Sequence, residues 1–178
     1  MNALVVYDSL FGNTERIALA IAEALRAFGQ AQAVRIEPTQ PEELKRQELL
    51  RQNHATDVRL EPGHQISLEG VDLLIMGGPT QAFRATPTMQ SFLDNLSPAS
   101  LSGMAVACFD TRVHGPFGSA ARSMAKKLQA MGISLLVPPE CFFVKGNGPL
   151  KSGEVERAAT WARMLCDKVE ATHPVMQR

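Results

Sequence analysis

The chain predicts an α/β domain, a doubly wound parallel sheet of five strands with helices on both faces. Three observations carry that expectation. Short apolar runs alternate with segments of helical periodicity, which is the order of a parallel sheet with covering helices. The apolar runs are continuous rather than alternating, as in strands buried on both faces. Turns bearing glycine, proline or hydroxyl residues separate them. No repeat or linker divides the 178 residues, so one domain over residues 1–178 is expected, with an irregular insertion at about 37–70.

Residues 3–7 (Ala-Leu-Val-Val-Tyr) form the first strand. Residues 14–28 follow as a helix, with Ile17, Ile21, Ala24, Leu25 and Phe28 at helical spacing and Gly29 at the C-cap position. Residues 33–36 make a second short strand, and residues 71–76 a third that ends in Gly77-Gly78-Pro79-Thr80. Thr86-Pro87 starts the next helix, with proline at its first position and Met89, Phe92, Leu93 and Leu96 facing inward. Residues 104–109 are the fourth strand. The helix over residues 119–131 turns Met124, Leu128 and Met131 inward and closes at Gly132. Residues 134–137 and 141–144 read as a fifth strand interrupted by Pro138-Pro139, which suits a sheet edge. The last helix, residues 152–169, buries Val155, Ala158, Ala159, Ala162, Leu165, Cys166 and Val169. Within the insertion, residues 41–53 read as a charged helix with a thin apolar edge of Leu44, Leu49 and Leu50.

Composition narrows the function classes. Lys plus Arg and Asp plus Glu number 18 each, so neither nucleic acid nor an anionic membrane is favoured as a partner. No apolar run approaches a membrane span, and Met1 leads straight into a strand without a basic leader, so a cytoplasmic location is expected. Cys108, Cys141 and Cys166 have no paired spacing and read as small apolar residues in a reducing compartment. His54, His64, His114 and His173 show no ligand spacing, so no metal site is expected.

The stretch from Leu4 to Ala18 carries the chemistry. A strand, a tight turn and a helix start make an anion site, because the first helical N–H groups are unpaired and the macrodipole is positive there. The turn lacks the Gly-Lys-Ser/Thr ending of a Walker loop and the three glycines of a dinucleotide fingerprint. Its pattern is a hydrophobic pair, an aromatic, any residue, Ser/Thr, two residues, a small residue, any residue, Thr, three residues and Ala. Val5, Val6, Tyr7, Ser9, Gly12, Thr14 and Ala18 fill every place, and in this the chain resembles the flavodoxin family. The Gly-x-Pro-Thr turn at the end of the third strand, Gly77-Gly78-Pro79-Thr80, matches the family's other well-known element.

The resemblance implies the strand order 2-1-3-4-5 and an FMN site where the loops after strands one, three and four converge. Ser9, Leu10, Phe11, Gly12, Asn13 and Thr14 would wrap the FMN phosphate. Pro79, Thr80, Gln81, Ala82 and Phe83 would pass one face or edge of the isoalloxazine ring. Asp110, Thr111, Arg112, His114, Gly115 and Phe117 would line the other side and the pyrimidine edge. Family members usually sandwich the ring between aromatics, often Trp and Tyr. Here Tyr7 ends a strand and Trp161 sits in the last helix, which leaves Phe83, Phe117 and the His114 ring.

The implied function is a redox protein passing electrons through a bound flavin, its partner a redox protein or NAD(P)H. Within that class a one-electron carrier and a small NAD(P)H:quinone-type oxidoreductase both fit, the first often monomeric and the second often dimeric. Arg112 reads as a solvated surface charge, as a loop salt bridge, or as a cation that, with His114, raises the flavin potential. No catalytic acid, base or nucleophile stands out, because the flavin carries the chemistry. A flavin-free binding module is the alternative from another class. A phosphoryl-receiving module is excluded, since the third strand ends in Gly77-Gly78 where an Asp is needed, and Lys145 then reads as a surface residue.

Overall fold

The structure, a computed structural model, describes residues 1–37, 66–115, 118–146 and 148–172. The elements are β1 (Asn2–Tyr7), α1 (Asn13–Leu25), β2 (Gln30–Arg35), β3 (Leu73–Pro79), α2 (Pro87–Asp94), β4 (Ala105–Val113), α3 (Ala120–Ala130), β5 (Glu140–Val144) and α4 (Glu154–Thr172). Short 3-10 turns follow α1 at Arg26–Phe28 and precede β4 at Ala99–Leu101. The strands form one all-parallel sheet in the order β2-β1-β3-β4-β5, as expected. No described helix is long and apolar enough to cross a membrane.

The period-2 geometry of the strands divides the core into two layers. Val5, Tyr7, Leu73, Ile75, Ala107, Phe109 and Phe142 pack beneath α1 and α4, against Ile17, Ile21, Leu25, Trp161 and Leu165. Leu4, Val6, Leu74, Met76, Val106 and Cys108 point the other way, onto Met89 and Leu93 of α2 and Met124 and Leu128 of α3. Each fully buried Leu, Ile or Phe contributes roughly 1.5–3 kcal/mol by removal from water. Both faces of the central strands are therefore apolar, which is why their sequences run unbroken.

Several boundaries differ from expectation, among them the start of β2 at Gln30 rather than residue 33, and three of the differences have a clear physical reason. Residues 134–137 are not strand. Leu136 N–H donates to Val106 O at 2.8 Å, but Pro138-Pro139 offers no N–H and the ladder resumes only at Glu140. β3 extends through Gly77, Gly78 and Pro79, paired in register with Phe109, Asp110 and Thr111. β4 continues through Asp110, Thr111, Arg112 and Val113, paired with Cys141 to Val144. Much of the expected third loop is thus strand, held by neighbours on both sides. Met89 and Leu93 of the α2 stripe are fully buried, whereas Phe92 and Leu96 are half-buried at its margin. Most of the expected insertion, including the helix at 41–53, lies outside the described residues.

Gly77 is demanded by packing. A Cβ there would stand 2.0 Å from Cζ of Phe109, whose ring meets Phe142 and Trp161 edge-on with centroids 5.9 and 6.3 Å away. Trp161 and the fully buried Tyr7 are therefore core residues, as their positions suggested.

Candidate functional site

β1 delivers the chain to the sheet's carboxyl edge, and Gly12 makes the turn into α1. Gly12 is left-handed at φ 76°, a conformation glycine adopts without strain, and it is the N-cap residue. Glu15 N–H donates to Ser9 Oγ at 3.3 Å, and Arg16 N–H to Gly12 O at 3.1 Å. Thr14 Oγ1 lies 2.7 Å from Thr111 Oγ1, a bond that ties the first loop to β4. Ser9 and Thr14 are thus buried with their hydroxyls turned inward. Among the described residues, no acceptor takes the N–H of Leu10, Phe11, Gly12 or Thr14. The backbone donors at this helix start are groups of the kind that can hold an anion.

Two charged residues beneath the turn were not singled out from the sequence. Arg35, at the end of β2, is buried and donates to Ser9 O. Its guanidinium lies 3.7 Å from Glu15 Oε2 and 3.6 Å from Glu37 Oε1. Asp8, between Tyr7 and Ser9, is fully buried. Its N–H continues the ladder by donating to Gly77 O at 3.0 Å, and Thr86 Oγ1 donates to its Oδ2 at 2.6 Å. Asp8 Oδ1 has no hydrogen-bond partner. Burial pushes the Asp8 carboxyl above the usual range, opposed by the Thr86 bond and the Arg35 charge. Asp8 occupies the "any residue" place of the motif, so only its position at the end of a buried strand marks it.

The second loop reverses tightly. Gln81 and Arg84 exchange backbone bonds of 3.0 and 2.9 Å, and the two residues between them, Ala82 and Phe83, have φ of 43° and 68°. Two consecutive left-handed non-glycine residues cost on the order of 1–3 kcal/mol each and cluster at functional sites. Phe83 is 62% exposed at the tip. The third loop supports this tip from behind, since a Cβ at Gly118 would fall 2.3 Å from Phe83 O.

Asp110 joins the second and third loops. Its Oδ2 accepts from Thr80 Oγ1 at 3.1 Å, from Ala121 N–H at 3.1 Å and from Ser119 Oγ. Thr80 Oγ1 also takes Ala120 N–H at 2.9 Å, and Thr80 N–H donates to Thr111 O at 3.0 Å. Asp110 is fully buried, and burial raises its carboxyl against the three hydrogen bonds. It acts as a brace at the start of α3.

Of the expected third-loop residues, Arg112 is engaged internally. Its Nε lies 3.8 Å from Asp110 Oδ1, it donates to Gly115 O at 3.4 Å, and it sits over the Phe143 ring. The salt-bridge reading holds, and the pair brings little net charge to the edge. The exposed His114 ring leans on Phe143, centroids 4.9 Å apart. Phe117 lies outside the described residues. Pro79, Thr80 and Gln81 are half-buried, in line with the exposed Ala82 and Phe83.

Phe11, Phe83 and Val113, one from each loop, are 41%, 62% and 55% exposed. The edge therefore offers an anion cradle at one end and apolar surface beside it. These features suit a ligand with an anionic tail and a flat apolar body. Among the described residues, no group of three or more His, Cys, Asp or Glu side chains is placed to hold a metal.

The chain matches the family model described as Flavodoxin over residues 5–161. A protein of Acidovorax ebreus named NAD(P)H dehydrogenase (quinone) is 30% identical over 146 residues, 78% of this chain and 71% of that one. A Gluconacetobacter diazotrophicus protein of the same name is 34% identical over 101 residues, 56% of this chain and 49% of that relative. The match to that relative thus spans only about half its length. The oxidised flavodoxin 1 of Bacillus cereus superposes with a TM-score of 0.65 at 18% identity, covering 94% of this chain and 98% of that one.

Proposed function

Because the chain belongs to the flavodoxin family, we propose that it holds FMN across the three loops and transfers electrons through it. The observation that carries this reading is the set of N–H groups at Leu10, Phe11, Gly12 and Thr14 that no acceptor takes among the described residues, together with the exposed apolar Phe83 and Val113. The residues present fit the group. The N–H donors of Leu10, Phe11, Gly12 and Thr14 would bind the phosphate, aided by the α1 dipole. Phe83, His114 and the backbone from Asp110 to Gly115 would flank the ring, and the strained turn would hold Phe83 in place. A bound flavin supplies reversible electron transfer. The chain's part is to bind it, orient it and shield one face.

A second reading makes the protein an enzyme that takes electrons from NAD(P)H and reduces a quinone-type acceptor. The names of the two relatives favour it, as does a net charge of zero, which provides no strong field for steering a charged protein partner. Three free cysteines fit a reducing, cytoplasmic setting.

Titration of the purified protein with FMN and with riboflavin tests the first reading. FMN fluorescence should quench at micromolar protein, and riboflavin, lacking the phosphate, should bind at least tenfold more weakly. Equal binding of the two would sink the phosphate cradle. NAD(P)H oxidation by the FMN-loaded protein, with and without a benzoquinone, separates enzyme from carrier.

A further inference from the structure

Asp8 has no role in the reading above, yet it is the titratable group set directly before the phosphate turn. It is fully buried, so water does not screen its charge. One oxygen is held by Thr86 and the other, Oδ1, has no partner. The elements packed around it compensate its charge only in part. From β2 comes Arg35, which bonds Ser9 O and is shared with Glu15 of α1 and with Glu37. From α2 comes only the Thr86 hydroxyl. β3 offers Gly78, and beyond it β4 carries a second buried acid, Asp110, paired in register with Gly78. The first turn itself contains no cation.

An ionised Asp8 would therefore stand behind the same N–H groups that are to hold a phosphate. The two anions repel, and Arg35, which is shared with Glu15 and Glu37, offsets that repulsion only in part. Protonation of Oδ1 removes that repulsion.

We propose that Asp8 links phosphate binding to proton uptake, so that the turn takes a dianionic phosphate fully only when Asp8 carries a proton. The link rests on the FMN reading. Asp8 acts through the loop and is a positioning residue. The raised Asp8 carboxyl agrees in direction, since the site already favours the proton before any anion arrives.

The test is FMN affinity by fluorescence quenching between pH 7 and 9, where the FMN phosphate is already largely dianionic, its second ionisation lying near pH 6. For the wild type, the Kd should rise by several-fold, at most about tenfold, per pH unit, as one linked proton requires. For Asp8→Asn the profile should be flat and the affinity above pH 8 higher than wild type. Riboflavin should show neither effect. Calorimetry of the wild type in buffers of different ionisation enthalpy, at pH 8, should show protons taken up with FMN and none with riboflavin. That measurement stands even where the variant does not fold. FMN binding with a flat wild-type profile and no proton uptake overturns the Asp8 proposal and leaves the cradle intact. No FMN binding at any pH overturns both.

Discussion

Gly77→Ala tests the division of the β3 glycines between fold and site. The new Cβ would lie 2.0, 2.2 and 2.6 Å from Cζ, Cε1 and Cε2 of Phe109, where real contacts stay above 3.0 Å. The ring would have to retreat by over an ångström. It is fully buried and enclosed by Phe142 and Trp161, so it has no free side. Overpacking of this kind costs roughly 1–3 kcal/mol. For a domain of this size that is a Tm fall of roughly 2–12 °C. Gly78→Ala is the control, because its Cβ would meet nothing within 4 Å and would point to the opposite face. Its Tm should move by no more than about 2 °C, as for a substitution free of steric conflict. Thermal unfolding followed by near-ultraviolet circular dichroism reads both. A double change, Gly77→Ala with Phe109→Leu, should recover part of the loss, because the clash lies between those two residues. Equal effects at Gly77 and Gly78, or the same Gly77→Ala cost with Phe and Leu at 109, would refute the steric account.

Ser119→Ala removes the cap that takes Arg122 N–H at 3.1 Å and deprives Asp110 of a donor; urea unfolding should show a loss of about 1–2 kcal/mol. Burial raises the Asp110 carboxyl above 3.8, so the folded state holds the proton more tightly than the unfolded one. Stability from this group is then fully present below pH 3.8 and lost as pH rises through the folded value. The stability difference between wild type and Asp110→Asn should accordingly shift toward the variant as pH rises above 3.8, and a shift the other way contradicts the assignment. Cys108 and Cys166 are fully buried, with Cys166 pushed up to about 11 chiefly by burial, while Cys141 is partly exposed. A thiol reagent should modify Cys141 alone in the native protein and all three thiols in denaturant; comparable native rates for all three would count against the core assignment.

The alternation of strands and helices was legible because apolar runs buried on both faces leave a clear mark, whereas the sheet order and the converging loops followed from the resemblance to the flavodoxin family. The residues that brace the loops were not legible. Asp8, Arg35 and Ser119 are polar residues at the ends of strands or the start of a helix, where sequence alone suggests a solvated surface. Arg35 and Asp8 are held by partners 26 and 78 positions away, Ser9 and Thr86, and Ser119 by Asp110 across the third loop. The strand character of Asp110, Thr111 and Arg112 was hidden for a related reason, since a polar triplet pairs in a sheet only when strands on both sides hold it. For Arg112 the sequence offered several roles, and the structure shows its guanidinium 3.8 Å from Asp110 Oδ1, a partner the sequence could not assign.

The Thr14–Thr111 bond closes a loop of 97 residues. The tie between the first loop and β4 can therefore form only once the chain from β1 through β4 is in place. Contacts of such long range make for slow assembly. A ligand there selects only finished molecules and stabilises the whole domain by mass action. Flavin retained through purification would then serve as a gauge of correctly folded protein in a mixed preparation.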